Sequence, residues 1–251
     1  MRRLLLIPAA GLGSRLQASV PKALVPVNGR PMLDRLLELY RPFVEHAVVV
    51  AHPSFAEPLR GHLARLAPLP VAVVEQPTPT GMLDAILLAT EIVCREKPDT
   101  IWITWCDQVG VLPATLSRLA REESDEPRPA VMLPTVWRPH PYIHLARDAD
   151  GRIAAVLHRR EGDEMPAHGE SDMGLFAVSR DAFVSGLPDY AAAAKTGGAT
   201  GERNFLPFLA WAATRGAVRT FPCTDPMEAL GVNTPDDLRR MDAWLRARET
   251  R

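Results

Sequence analysis

Short apolar runs rich in Val, Ile and Leu alternate with amphipathic stretches through the first hundred residues, and this alternation constrains the fold more than any other property of the chain. Residues 4–7, 47–50, 71–74 and 100–104 read as strands buried on both faces, because their apolar character is continuous rather than alternating. Residues 32–40, 55–66 and 81–95 repeat apolar side chains at helical spacing. The order is βαβαβαβ. Such a chain is expected to be an α/β protein with a mostly parallel sheet, helices on both faces, and its ligands outside the carboxyl ends of the strands.

After residue 130 the rhythm changes. Residues 130–134, 143–147 and 153–158 read as strands, the last two joined by the turn Asp148-Ala149-Asp150-Gly151, so this half is expected to be mixed and hairpin-rich. A strand over 175–178, a helix over 204–215, a strand over 218–221 and a closing helix over 235–247, capped by Thr234 with acids in its first turn, complete the expected order. The Ala-, Gly- and Thr-rich stretch 191–200 reads as a mobile loop beside the site rather than a linker. One domain over 1–251 is expected, in two halves, 1–125 and 126–251.

The first strand runs into Pro8-Ala9-Ala10-Gly11-Leu12-Gly13-Ser14-Arg15. Gly11 and Gly13 permit positive φ and leave no side chain between the backbone amides and an anion. Arg15 adds a planar fork for phosphate oxygens, and Lys22 a compact point charge. Position 16 is Leu, not the third glycine of a dinucleotide-binding turn, and Val20-Pro21 forces extension where that motif opens a helix. No Gly-Lys-Ser/Thr follows, so the loop is not a Walker A sequence either.

The segment resembles the signature of the sugar-1-phosphate nucleotidyltransferases, A-G-x-G-[ST]-R followed by Pro-Lys: Ala10, Gly11, Gly13, Ser14, Arg15, Pro21 and Lys22 match it, and Pro26, Val27, Gly29, Pro31 and Met32 continue the match. The resemblance implies a Rossmann-like three-layer αβα fold, GT-A-like, with a mostly parallel mixed sheet and a hairpin-rich sugar-binding half. It also implies transfer of a nucleotidyl group from a nucleoside triphosphate to a sugar-1-phosphate, with release of pyrophosphate. Arg15 and Lys22 become the catalytic cations, and Ala10, Gly11, Gly13 and Ser14 nucleotide-binding residues.

Further segments fit. Glu75-Gln76-Pro77-Thr78-Pro79-Thr80-Gly81 resembles the family's base-recognition segment. Gln76 offers a donor and an acceptor suited to the imide edge of uracil or thymine, with a purine as the alternative these residues leave open, and Gly81 leaves room where a base approaches the backbone. Asp107 closes the strand 100–104, and Leu230-Gly231-Val232-Asn233-Thr234 resembles the family's G-V-N-T ending. A carboxylate and a neutral oxygen form a hard-ligand pair suited to Mg²⁺. Two departures fall near the acceptor side: Cys106 stands where relatives carry Gly, and His158 where they carry Glu. Asp172 and Gly174 resemble the segment lining the sugar pocket, and Tyr142, His158 and Glu202 join them as expected sugar contacts, with Asn204 beside Glu202. His140 and His144 read as structural, without a third metal ligand.

Lys plus Arg number 29 and Asp plus Glu 30, so a net charge of −1 gives no general drive toward nucleic acid or anionic membrane. No run approaches the roughly 20 apolar residues of a membrane span, the N-terminus lacks the apolar core of a signal peptide, and Cys94, Cys106 and Cys223 have no metal or disulfide spacing; a cytoplasmic protein with reduced cysteines is expected. The closing helix ends the sequence, so an enzyme that only transfers the nucleotide is expected, without the β-helix or acyltransferase domain of some relatives. UTP is the favoured donor, resembling the nucleotidyltransferase half of the N-acetylglucosamine-1-phosphate uridylyltransferases. Thymidylyl or cytidylyl transfer to a sugar, cyclitol or small alcohol phosphate is the alternative, and a non-catalytic nucleotide-sugar sensor the reading from another class. Either a monomer or a homo-oligomer fits. A NAD-dependent dehydrogenase ranks last, because His52 and Pro53 stand where an acid should end the second strand.

Overall fold

The computed structural model describes residues 1–11, 16 and 20–249. Its strands, in chain order, are β1 (Arg3–Ala9), β2 (Pro26–Val27), β3 (Arg30–Pro31), β4 (His46–Ala51), β5 (Val71–Glu75), β6 (Thr100–Thr104), β7 (Val131–Pro139), β8 (Ile143–Arg147), β9 (Ile153–His158), β10 (His168–Asp172), β11 (Leu175–Ser179) and β12 (Val218–Pro222). The helices are α1 (Met32–Tyr40), α2 (Pro53–Leu66), α3 (Met82–Leu87), α4 (Thr90–Glu96), α5 (Pro113–Glu122), α6 (Leu187–Ala193), α7 (Phe208–Ala213) and α8 (Pro235–Glu249).

The central sheet has eight strands in the order β10-β7-β11-β6-β1-β4-β5, with β12 on β7. β1 pairs in parallel with β4 and β6, β4 with β5, and β7 with β12. Only β10 and β11 run against their neighbours, so the sheet is mixed and mostly parallel. β10 and β11 follow one another along the same edge of β7 and part at Gly174, whose φ of +71° turns the chain toward β6.

Strand alternation sorts the core into two layers. Leu5, Ile7, Val49 and Trp102 face the layer built with α1, α2, α5 and α8. Leu4, Leu6, Val48, Val50 and Ile103 face the layer built with α3, α4, α6 and α7. The β8–β9 hairpin packs Leu145 and Ile153 into this second layer and is tied to β10 by Arg147, which grips both oxygens of Glu170 at 2.7 and 2.8 Å.

Several boundaries differ from the sequence expectation for local reasons. The helix expected over 81–95 breaks into α3 and α4, because the Ala89 amide closes a tight bond to the Ile86 carbonyl and the Thr90 hydroxyl donates to the Leu87 carbonyl at 2.6 Å. The helix expected over 204–215 starts only at Phe208, since Phe208 and Leu209 bond to Phe205 and Leu206 in tighter turns around Pro207, which has no N–H to give. Residues 191–193 of the expected loop finish α6. The apolar runs do not predict α5 or β10. Of the cysteines, Cys106 is buried and Cys94 exposed, so the second fills no core. Among the described residues no helix is long and apolar enough to cross a membrane.

Candidate active site

β1, β4 and β6 end on one side of the sheet, and three loops meet there. The first carries Ala10, which is buried, and Gly11; Gly13, Ser14 and Arg15 lie outside the described residues. It resumes as a single tight turn, Lys22–Leu24, entered from Pro21. Ala23 is buried in the core, which points its neighbour Lys22 the other way.

Lys22 Nζ donates to the Asp107 carboxylate and, at 2.9 Å, to Asn233 Oδ1. Three residues named from sequence thus converge on one point, with Lys22 and Asp107 side chains each 12% exposed. The Val232 amide donates to the Asp107 carbonyl at 3.1 Å, fixing the two carboxyl-end loops edge to edge. Thr234 and Asp237 cap α8 reciprocally, and the Asp237 carboxylate also takes the Asn233 amide at 3.2 Å, which orients Asn233. Asn28, in the turn between β2 and β3, donates its amide to Asp242 at 2.6 Å, so α8 steadies the segment after Lys22 as well.

Asp107 and Asn233 fit a hard divalent cation, for their oxygens already hold one positive group, the Lys22 ammonium, between them. Two protein oxygens leave the other positions of Mg²⁺ to water and phosphate, the usual arrangement at phosphoryl-transfer sites. Among the described residues no cluster of three or more His, Cys, Asp or Glu forms a closed metal cage, and His144 instead bonds the Glu170 carbonyl.

Gln76 is buried at the carboxyl end of β5 and gives its side-chain amide to the Gly81 carbonyl at 3.1 Å. Gly81 has φ +126° and ψ 175°, and the Arg203 backbone occupies the space where its Cβ would stand. The open face expected above Gly81 is therefore filled by the chain itself. Arg203 bonds to Thr80 and Leu83 there and pairs with Asp84 at 2.6 Å, pinning the start of α3 to the segment before α7.

On the acceptor side, Asp172 lies buried at the end of β10 and accepts the Gly174 amide at 2.8 Å. Gly174 receives the Trp105 amide at 3.0 Å, and a side chain there would strike the Trp105 ring, so this turn is wired to the strand that delivers Asp107. Burial holds the Asp172 carboxyl above the usual carboxylate range, although the Gly174 amide and Arg138 pull it back. An acid whose folded pKa is raised weakens the fold once the pH passes its unfolded value; the penalty is absent at pH 3 and complete above the folded pKa. Asp172→Asn is thus expected to raise Tm at pH 7. The gain should vanish near pH 3, and a lower Tm at pH 7 would refute the account.

Tyr142, half exposed, sets its ring edge-on to His158 at 5.1 Å. His158 lines a cleft of about 560 Å³ together with Glu161, Asp163, Lys195 and Asn204. Burial lowers its pKa more than the surrounding acids raise it, so the imidazole is neutral at pH 7 and serves hydroxyls as donor or acceptor. Glu202 pairs with Arg160 at 3.4 Å on the rim. Sequence reasoning misses Glu161, which accepts from Thr200, the Ala199 amide (3.1 Å) and Asn204 Nδ2 (3.2 Å), and so fastens the wall of this cleft. Its only sequence signal is an acid three residues after His158. Cys106, which stands in place of Gly, packs in the core with its thiol pushed up to about 12 by burial.

Comparison with known proteins identifies the family. The family model described as a MobA-like NTP transferase domain matches residues 5–171. The bifunctional protein GlmU of Pseudomonas putida (strain GB-1) is 28% identical over 249 residues, covering 98% of this chain and 52% of that protein. The GlmU protein of Nitratidesulfovibrio vulgaris (strain DP4) is 28% identical over 256 residues, covering 97% and 52%. The chain spans about half the length of the curated relatives it matches.

Proposed function

The chain belongs to the MobA-like NTP transferase domain family, and from that premise we propose that it transfers a nucleotidyl group, with UTP as the favoured donor, to a sugar-1-phosphate in the cytosol, releasing pyrophosphate. The whole of 1–251 acts as one domain in this reading, residues 1–125 serving the nucleotide and 126–251 the acceptor. The observation that carries it is the convergence of Lys22, Asp107 and Asn233 at the carboxyl ends of the parallel strands.

An acceptor phosphate is already anionic, so its attack on the α-phosphorus needs no general base. The task of the protein is alignment and charge neutralisation. Asp107 and Asn233 would hold Mg²⁺, which when bound supplies Lewis-acid stabilisation of the phosphate oxygens. Arg15 and the amides of the first loop would grip the β- and γ-phosphates, and Lys22 would bring its charge to the α-phosphate and the acceptor. Asp172, Gly174, Tyr142, His158 and Glu202 would surround the acceptor.

Donor choice follows from Gln76. Its NH₂ is committed to the Gly81 carbonyl, which leaves the side-chain oxygen for a ligand. An acceptor oxygen suits a base with a ring N–H on its pairing edge, as in uracil, thymine and guanine, whereas cytosine and adenine could offer it only their exocyclic amino group. The test is pyrophosphate release with Mg²⁺ from UTP, dTTP, CTP, GTP and ATP, each against sugar-1-phosphates, cyclitol phosphates and small alcohol phosphates. UTP with a hexose-1-phosphate should be fastest, and chelation should stop the reaction. Preference for CTP would overturn the Gln76 argument. Release from no pair would sink the transferase reading and favour a nucleotide-sugar sensor.

A further inference from the structure

We infer that Glu228, a residue outside the substrate-binding set, is the positioning residue that holds the Asp107 and Asn233 loops in register for transfer. The inference rests on the function proposed above only for the word transfer; the structural coupling stands on geometry alone. Glu228 is fully buried in the short turn Pro226–Ala229. One carboxylate oxygen accepts the Leu112 amide at 3.0 Å and the Thr115 hydroxyl, both on the segment that follows Asp107. The other accepts the Thr224 amide and hydroxyl at 3.2 Å and the Asp225 amide at 3.3 Å, on the segment that leads to Asn233. The Glu228 carbonyl takes the Gln108 side-chain amide at 3.1 Å as well.

Among the described residues five donor groups bond to this carboxylate. A buried anion so surrounded is satisfied, and it joins two segments more than a hundred residues apart in sequence. Gly110 shows how tightly the loops close: a Cβ there would strike Met241 and the Met227 carbonyl. A small shift of either loop therefore moves Asp107 relative to Asn233, whose loops the Val232 amide to Asp107 carbonyl bond joins.

Glu228→Gln keeps the volume but turns an NH₂ toward donors of one loop, whichever way the amide is set. Two measurements on the full chain separate the possibilities. Amide hydrogen exchange should quicken in peptides covering 107–116 and 223–234, with the rest of the sheet unchanged. Turnover should fall roughly 10- to 100-fold, the loss expected of an ångström-scale misplacement, with the KM for UTP changed less than about threefold. Glu228→Asp, which keeps the charge on a shorter arm, should recover part of both. Faster local exchange with undiminished turnover would overturn the positioning role, and so would lost turnover with unchanged exchange. If Glu228→Gln does not fold, Thr115→Val, which removes one hydroxyl donor at constant volume, should show the same pair of changes at smaller amplitude; unchanged exchange at 107–116 would then overturn the inference. A wild-type protein that turns over no substrate would remove the transferase reading, while exchange in the variants would still decide whether Glu228 couples the loops.

Discussion

Lys22→Met is expected to slow pyrophosphate release roughly 10²- to 10³-fold, the loss seen when one charge-stabilising donor is taken from a transition state. A thousandfold loss corresponds to about 4 kcal/mol of activation free energy. Stability should fall by less. The variant leaves the Asp107 carboxylate and Asn233 Oδ1 without their shared ammonium, a cost of about 1–3 kcal/mol for a partly buried charged hydrogen bond. The pair lies at the end of a sheet whose core it does not fill, so water or a cation reaches the vacated place. The geometry adds a sharper expectation. Lys22 and a divalent cation compete for the same two oxygens, so the variant should bind Mn²⁺ more tightly than the wild type while turning over more slowly. Electron paramagnetic resonance of free Mn²⁺ in titrations of both proteins measures this directly. Weaker Mn²⁺ binding in Lys22→Met would mean that Asp107 and Asn233 are not the metal's ligands, whatever happened to the rate.

The opposition of those two effects was legible in the sequence only in part. Strands β1, β4, β5 and β6 announce themselves because each is a continuous apolar run, and α1 because its apolar residues recur on one face. Lys22, Asp107 and Asn233 could be named from local motifs, yet their mutual contact joins segments 211 residues apart and is a product of the sheet order. α5 is hidden because only Leu116, Leu119 and Thr115 of its ten residues are buried, too few to make a periodic signal. β10 is hidden for the converse reason: Gly169, Glu170, Ser171 and Asp172 are buried polar or small residues, satisfied by Arg147 and by neighbouring main chain rather than by apolar packing. Half of the Glu228 clamp has a local signature, the Asp225-Pro226-Met227-Glu228 capping box, whereas its bonds to Leu112 and Thr115 have none, since only the folded sheet brings that segment close. Motif residues are visible in a sequence where the ligand dictates them one by one. Residues that hold motif segments against each other are visible only in three dimensions.

Gly81 illustrates the same division with a stability consequence. Read locally, its lack of a side chain serves a bound base; in the fold, the first need is that of the chain itself. A φ of +126° with ψ of 175° lies in a region that glycine alone occupies readily, at a cost of roughly 1–3 kcal/mol for any other residue. The Arg203 backbone stands where a Cβ would go, and main chain yields less readily than a side-chain tip, which adds about 1–3 kcal/mol of overpacking. Gly81→Ala is therefore expected to lose about 3–5 kcal/mol, or a Tm lower by roughly 10 °C for a domain of this size. The strain should be local in origin. Relief has one route: the Arg203 segment withdraws, breaking its bonds to Thr80 and Leu83 and loosening the cleft wall that runs back through Asn204 to Glu161. Calorimetry of Gly81→Ala gives the global cost, and amide exchange over 197–206 tells where it falls. A Tm within 2 °C of the wild type would mean that the 80–84 and 203 segments part freely, and the glycine would then answer to the nucleotide rather than to the fold.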